Sequence, residues 1–154
     1  MQKVAKFEKV SFENFAAAYL MFKGATNIDI IKKIYEDLNL PKRATTGSAG
    51  YDFFMPDAVM LKKGETVLIP TGIRVKINDG WVLKIYPRSG LGFKFRLQLD
   101  NTVGIIDSDY YYSDNEGHIF CKITCDAKEE KDVLHYQNSN NHYQLYLQYY
   151  QVVI

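Results

Sequence analysis

Two apolar periods divide this chain. Phe12, Phe15, Ala16, Tyr19 and Leu20 recur at the spacing of one helix face behind Ser11, whose short hydroxyl suits an N-cap. A second set, Ile31, Ile34, Tyr35 and Leu38, follows Thr26, another capping residue, and Pro41 closes the run. The spacing predicts a helical front piece over residues 1–41. From Lys42 the period shortens to two, in Val59/Leu61, Thr66 to Pro70, Ile73 to Ile77, Trp81 to Tyr86 and Ile119 to Cys125. These runs are separated by Gly, Pro and Asp-Gly, and they predict an all-β body over residues 42–154. Asp79-Gly80 stands between Arg74-Val75-Lys76-Ile77 and Trp81-Val82-Leu83-Lys84-Ile85 and predicts a tight hairpin, because such turns need positive φ.

Composition narrows the partners. The chain has 154 residues, enough for one domain with a substantial core. Nineteen Lys and Arg against 18 Asp and Glu leave a formal charge of +1, so no strong field is available for a polyanion and nucleic acid is not an expected partner. No apolar run approaches the roughly 20 residues of a membrane span, and Phe15 to Phe22 lacks the flanks of a secretory signal. Cys121 and Cys125 read as same-face residues of one strand rather than a disulfide framework, which favours a reducing, cytoplasmic compartment. His135 to Gln151 contains no charged residue, and Val152-Val153-Ile154 follows. That end reads either as a strand whose partner lies in another subunit or as a coding sequence truncated or shifted near its close.

Three segments carry chemistry. Thr45-Thr46-Gly47-Ser48-Ala49-Gly50-Tyr51-Asp52 is a run of small residues closed by a ring and a carboxylate. It allows close approach by a ligand or another chain, and it equally fits the bulged start of a strand. Pro87-Arg88-Ser89-Gly90-Leu91-Gly92 follows the strand predicted from Trp81. Its guanidinium fork, hydroxyl and flexible amides suit phosphate oxygens, although an ordinary strand-to-loop turn with a surface Arg explains them as well. Asn101-Thr102-Val103-Gly104-Ile105-Ile106-Asp107-Ser108-Asp109-Tyr110 runs apolar residues straight into two carboxylates and a ring. In a strand Asp107 and Asp109 share a face and Tyr110 takes the other, unless a bend re-aims it. A carboxylate leaving such a strand is a candidate to orient a water, and partial desolvation would make it a better base. The alternative is a polar strand end leading into the solvent-facing turn Ser113-Asp114-Asn115-Glu116-Gly117.

In order, these segments resemble the motifs of the trimeric dUTPases, which hydrolyse dUTP to dUMP and pyrophosphate. Ser48-Ala49-Gly50-Tyr51-Asp52 resembles the first motif, Pro87-Arg88-Ser89-Gly90-Leu91 the second, and Gly104-Ile105-Ile106-Asp107-Ser108-Asp109-Tyr110 the third. The resemblance covers residues 42–126. The front piece is similar to an extension carried by some bacterial and phage members, which implies a bacterial or phage-encoded cytoplasmic protein.

The resemblance implies a distorted β-jelly roll that assembles into a homotrimer with shared active sites. It gives Asp107 the water that attacks the α-phosphorus. It sets Tyr110 under the deoxyribose, where a ring against C2′ refuses a ribose hydroxyl. Asn101 and the backbone of Gly104, Ile105, Ile106 and Asp107 would form a hairpin that reads uracil. Arg88, Ser89 and the Gly90 amide would hold the phosphates, and Asp52 would support the site. The implied ion is Mg²⁺, held mainly by phosphates and water rather than by protein ligands. His118, Cys121, Cys125 and His135 are not expected to bind zinc, because strand alternation puts His118 opposite the cysteines.

The chain also departs from the family pattern. Tyr111-Tyr112-Ser113-Asp114-Asn115-Glu116 is longer than the short link usual after the third motif. Of the fourth motif only Gln144 carries over, as a substrate-binding residue. The Gly-rich fifth motif is not found, which predicts a weakly closed site and slow turnover. Three further readings stand beside the hydrolase: a nucleotide-binding regulatory module, a dCTP deaminase relative, and a defective product that never assembles.

Overall fold

The computed structural model describes residues 3–59, 61–128 and 147–153. The first described element is a strand, β1 (Ala5–Lys9), where a helical front piece was expected. Val4, Phe7 and Val10 stand among Lys6, Glu8 and Lys9, too polar a mixture for a buried helix face, and β1 pairs antiparallel with β4 (Ile73–Ile77) from Ala5↔Ile77 to Lys9↔Ile73.

The helices follow. In α1 (Phe12–Lys23) the Ser11 hydroxyl accepts from Asn14 N at 3.2 Å, the cap that the sequence predicts. In α2 (Ile28–Asp37) the cap is Asn27, one residue beyond the expected Thr26, and its side chain accepts from Asp29 N at 2.8 Å. Both helices close on a small core of Val10, Phe15, Ala16, Tyr19 and Ile31. The Tyr35 hydroxyl donates to Val10 O at 2.6 Å and ties α2 to the end of β1.

The β body has a four-stranded sheet in the order β2 (Asp52–Phe53), β9 (Leu147–Val153), β5 (Trp81–Pro87), β7 (Gly104–Ile106). A three-stranded sheet runs β3 (Thr66–Pro70), β8 (Phe120–Cys125), β6 (Leu97–Leu99). Successive strands fall in different sheets, as in a jelly roll, and the sheets do not close into a barrel. The main core lies between them and includes Phe53, Ile69, Ile73, Val75, Leu83, Ile85, Ile119, Cys121 and Ile123.

Asp79-Gly80 makes its turn but not its hairpin. Trp81 N donates to Asn78 O at 3.2 Å and Gly80 takes φ 81°, yet β4 pairs with β1 while β5 pairs with β7 and β9. Turn residues fix the reversal of the chain; they do not choose which strand takes the freed edge, and β1 takes that of β4. Val59/Leu61 forms no strand, although Leu61 is buried in the core. The final strand finds its partners within the chain, since β9 pairs with β2 and along all of β5 from Trp81↔Val153 to Pro87↔Leu147.

Phe15 is fully buried beneath both helices. Its replacement by Ala is expected to cost about 3–5 kcal/mol of stability, read as a lowered midpoint of urea unfolding followed by circular dichroism. An unchanged midpoint would show that the helices contribute nothing to the cooperative unit.

Candidate functional site

The first two motifs meet through charge. Asp52 is buried in β2, and its Oδ2 lies 3.7 Å from Arg88 Nη1. An ionised carboxylate in that position needs a cation, and Arg88, which is only part-exposed, supplies one. Thr45 and Ser48 close the preceding turn, with Ser48 N donating to Thr45 O at 3.1 Å and Thr45 N to Ser48 Oγ at 3.0 Å. After Arg88 the chain enters not a loop but a short helix, α3 (Ser89–Phe95). Ser89 and Gly90 are its exposed first residues, whose amides a helix leaves without an intrahelical acceptor.

The third motif leaves β7. Gly104 sits opposite Ile85, and a Cβ on it would lie 3.1 Å from Ile85 Cβ, so glycine lets β7 close on β5. Asn101 and Thr102 lie in an exposed turn where Thr102 N donates to Leu99 O at 2.9 Å. This is a turn rather than the expected two-stranded hairpin, because β6 pairs with β8 and β7 with β5. Ile105 is half-exposed and Ile106 partly buried. Asp107 is exposed and heads a 3₁₀ turn over Ser108–Tyr112, with Tyr110 N donating to Asp107 O at 3.2 Å. That turn, not strand alternation, aims Asp109 and Tyr110. Within a single chain Asp107 is therefore open to solvent. Gln144 lies outside the described residues.

Strand register separates the two groups. Ile85 pairs with Gly104 and Leu83 with Ile106, so Asp107 follows β7 at the Val82 end of the ladder, while Arg88 follows β5 beyond the Ile85 end. From Val82 to Arg88 is six residues, or about 20 Å of strand at roughly 3.3 Å per residue. One chain thus presents a phosphate-suited cation and a water-suited carboxylate at opposite ends of the β5/β7 ladder.

Beyond Tyr110 the structure shows a network that the sequence concealed. The enlarged loop turns back onto β1 and α1: Tyr111 Oη donates to Glu8 Oε2 at 2.6 Å, and the Arg74 guanidinium lies over the Tyr111 ring at 4.4 Å. Hydrogen bonds from Lys6 and Tyr111 push the Glu8 carboxyl down to about 2. Glu116, read as part of a solvent-facing turn, accepts from Ser11 N at 2.8 Å and Ser11 Oγ at 2.5 Å, bonds that lower its pKa. His118 is fully buried ahead of β8, so strand alternation does not set its side. Its Nε2 accepts from Gly72 N at 2.9 Å, which places the ring proton on Nδ1, 2.8 Å from Asn14 Oδ1. Among the described residues, no group of three His, Cys, Asp or Glu is arranged to hold a metal ion. Cys121 and Cys125 are free thiols within the core, and burial pushes the Cys121 thiol up to about 12. Nor, among the described residues, is any helix long and apolar enough to cross a membrane.

The family model described as dUTPase matches residues 36–125. The deoxyuridine 5′-triphosphate nucleotidohydrolase of Lactococcus lactis is 46% identical over 94 residues, covering 60% of this chain and 63% of that protein. Its counterpart from Psychromonas ingrahamii is 51% identical over 81 residues, covering 51% and 54%. The chain thus spans about half to 63% of the length of these curated relatives. The crystal structure of the Streptococcus mutans dUTPase superposes with a TM-score of 0.63 at 29% identity, covering 96% of this chain and 94% of that one. A mutant dUTPase of Staphylococcus aureus phage phi11, described with a structural Mg(II) ion, superposes with a TM-score of 0.63 at 22% identity, covering 99% and 92%. The jelly-roll fold expected from the motifs is the fold of these neighbours.

Burial pushes His118 down to about 4, so the folded chain holds it neutral while the unfolded chain protonates near 6.5. Stability from the neutral ring is complete above about pH 6.5 and is lost as pH falls toward 4. Between about pH 7.5 and 5, where Glu8 and Glu116 stay ionised, the loss is expected to be about 2 kcal/mol in urea unfolding. His118→Gln, which keeps an acceptor for Gly72 N without a titrating ring, is expected to flatten the profile; an equal loss in the variant would refute the assignment.

Proposed function

The chain belongs to the dUTPase family, and from that premise we propose that it hydrolyses dUTP to dUMP and pyrophosphate at sites shared between chains. The observation that carries the reading is the separation of Arg88 from Asp107 along β5 and β7. A triphosphate held by Arg88 of one chain meets its attacking water through Asp107 of another, in the homotrimer typical of the family. The exposed state of Asp107, Asn101 and Ser89 fits surfaces that a second chain completes.

In this reading each group acts by its ordinary chemistry. Asp107 accepts a proton from a water whose oxygen attacks the α-phosphorus, and the bond from that phosphorus to the bridging oxygen breaks to release pyrophosphate. Arg88, the Ser89 hydroxyl and the Gly90 amide neutralise the phosphate oxygens. Asp52 holds Arg88 in place from beneath. Strand β7 is the outer edge of its sheet, so alternate backbone groups of Gly104, Ile105 and Ile106 point away from β5 and can pair with uracil beside Asn101. The Tyr110 ring forms the wall against C2′, and Gln144 is assigned to substrate on the motif resemblance alone. The substrate is the Mg²⁺ complex of dUTP, its ion bound by phosphate oxygens and water.

Pyrophosphate release with Mg²⁺ is expected from dUTP and not from UTP or dTTP. Asp107→Asn is expected to lower the rate about 10²–10⁴-fold, the range for losing a general base. Arg88→Ala and Asp107→Asn chains, each inactive alone, are expected to regain activity when unfolded and refolded together. Inactivity of the mixture would refute shared sites, and dUTP binding without hydrolysis by the unaltered chain would leave a binding module.

A further inference from the structure

Tyr110 is held at both ends. Its backbone N–H donates to Asp107 O, and its phenolic hydroxyl donates to His118 O at 2.9 Å and accepts from Asn115 Nδ2 at 2.9 Å. The Asn115 amide cannot turn over without loss, because its Oδ1 accepts from Gly117 N at 3.2 Å and the Tyr110 hydroxyl proton is already given to His118 O. Gly117 has φ 70°, and a Cβ there would lie 2.7 Å from Tyr111 Cα and 2.8 Å from Tyr110 O. Only glycine lets the chain double back far enough to put Asn115 beside the phenol. The Asn115 carbonyl in turn accepts from Asn14 Nδ2 at 3.0 Å, and the other side of the Asn14 amide faces His118 Nδ1. Asn115, by its side chain at one end and its backbone carbonyl at the other, thus links the Tyr110 hydroxyl to the first turn of α1.

We propose that Asn115 is a positioning residue for substrate selection, fixing the far end of the Tyr110 ring so that its face forms a rigid wall. This rests on the reading of Tyr110 as the surface against the deoxyribose. A ring anchored only at Cα can swing about its side-chain torsions and make room for one extra oxygen. Anchored at the hydroxyl as well, it keeps its plane, and the steric refusal of a ribose hydroxyl persists. The enlarged loop and the front helix therefore belong to the selectivity apparatus.

The test is the ratio of kcat/KM for dUTP to that for UTP. Asn115→Ala is expected to lower this ratio about tenfold, the scale of one lost hydrogen bond. Tyr110→Phe, which removes the bond to His118 O as well as the one from Asn115, is expected to lower it at least as far, and the double variant no further than Tyr110→Phe. A purely structural role for Asn115 would reduce activity on both nucleotides alike, and an unchanged ratio in the two single variants overturns the proposal.

A second readout does not depend on turnover. In protein carrying 3-fluorotyrosine, the ¹⁹F signal missing from Tyr110→Phe reports on Tyr110. Asn115→Ala is expected to shift and narrow that signal toward the position of an exposed ring, and an unmoved signal overturns the proposal. Adding dUMP to the unaltered protein should move the same signal. If dUMP leaves it unmoved while Asn115→Ala moves it, the anchoring holds and the sugar-wall reading of Tyr110 fails.

Discussion

Strand β5 is hydrogen-bonded on both sides, to β9 along one edge and β7 along the other, and what can happen at the site follows from that double pairing. Leu83 and Ile85 anchor the strand in the core, so its register is costly to change: a slip of one residue would turn both side chains to the opposite face. With the register fixed, the end of β5 delivers Arg88 and α3 to one pole of the sheet. The antiparallel β7 carries Asp107 to the other. No adjustment of loops within a single chain brings these poles together without breaking the ladder.

A second constraint lies at the seam between the front helices and the body. His118 is fully buried, and a buried imidazole is tolerable only when both nitrogens are matched. Gly72 N–H supplies the donor and Asn14 the acceptor, so the ring bridges the start of β4 and the first turn of α1. Around it Thr71 Oγ1 donates to Ile119 O at 2.7 Å, and Glu116 receives both donors of Ser11. These bonds are directional, whereas the helix core of Phe15, Tyr19 and Ile31 is not. Apolar burial holds the helices down, and the polar seam sets where they sit.

The legible parts of the sequence were those governed by short-range rules. Ser11 capped its helix, the buried alternation of Cys121, Ile123 and Cys125 marked β8, and Asp79-Gly80 turned the chain. What escaped depends on partners distant in sequence. Residues 5–9 became a strand because β4, almost 70 positions later, offered an edge, and the expected hairpin at Asp79-Gly80 opened for the same reason. Strand parity sets His118 opposite the cysteines and speaks against zinc, but β8 begins two residues later, so parity does not apply to it. Asn115 and Glu116 looked like turn chemistry because Asn, Glu and Gly favour turns. Nothing local shows that Asn14 and Ser11, about a hundred residues earlier, take up their hydrogen-bonding groups. In the candidate site, the motifs single out Arg88 and Asp107 as candidates; their separation needed the register.

The two constraints act on opposite sides of the third motif and together limit how it can vary. On the β7 side, Gly104 packs against Ile85 and leaves no freedom to shift Asp107 along the ladder. On the loop side, the chain after Tyr110 is longer than a minimal link, and extra length ordinarily brings extra motion. Here the loop is fastened to the front piece and to β4: Glu8 and Arg74 engage Tyr111, Ser11 engages Glu116, and Asn14 engages Asn115. The front piece thereby replaces, with contacts from afar, the rigidity that a shorter connection would have had from its length. A loop and an extension tied in this way are interdependent, since neither keeps its geometry if the other is removed.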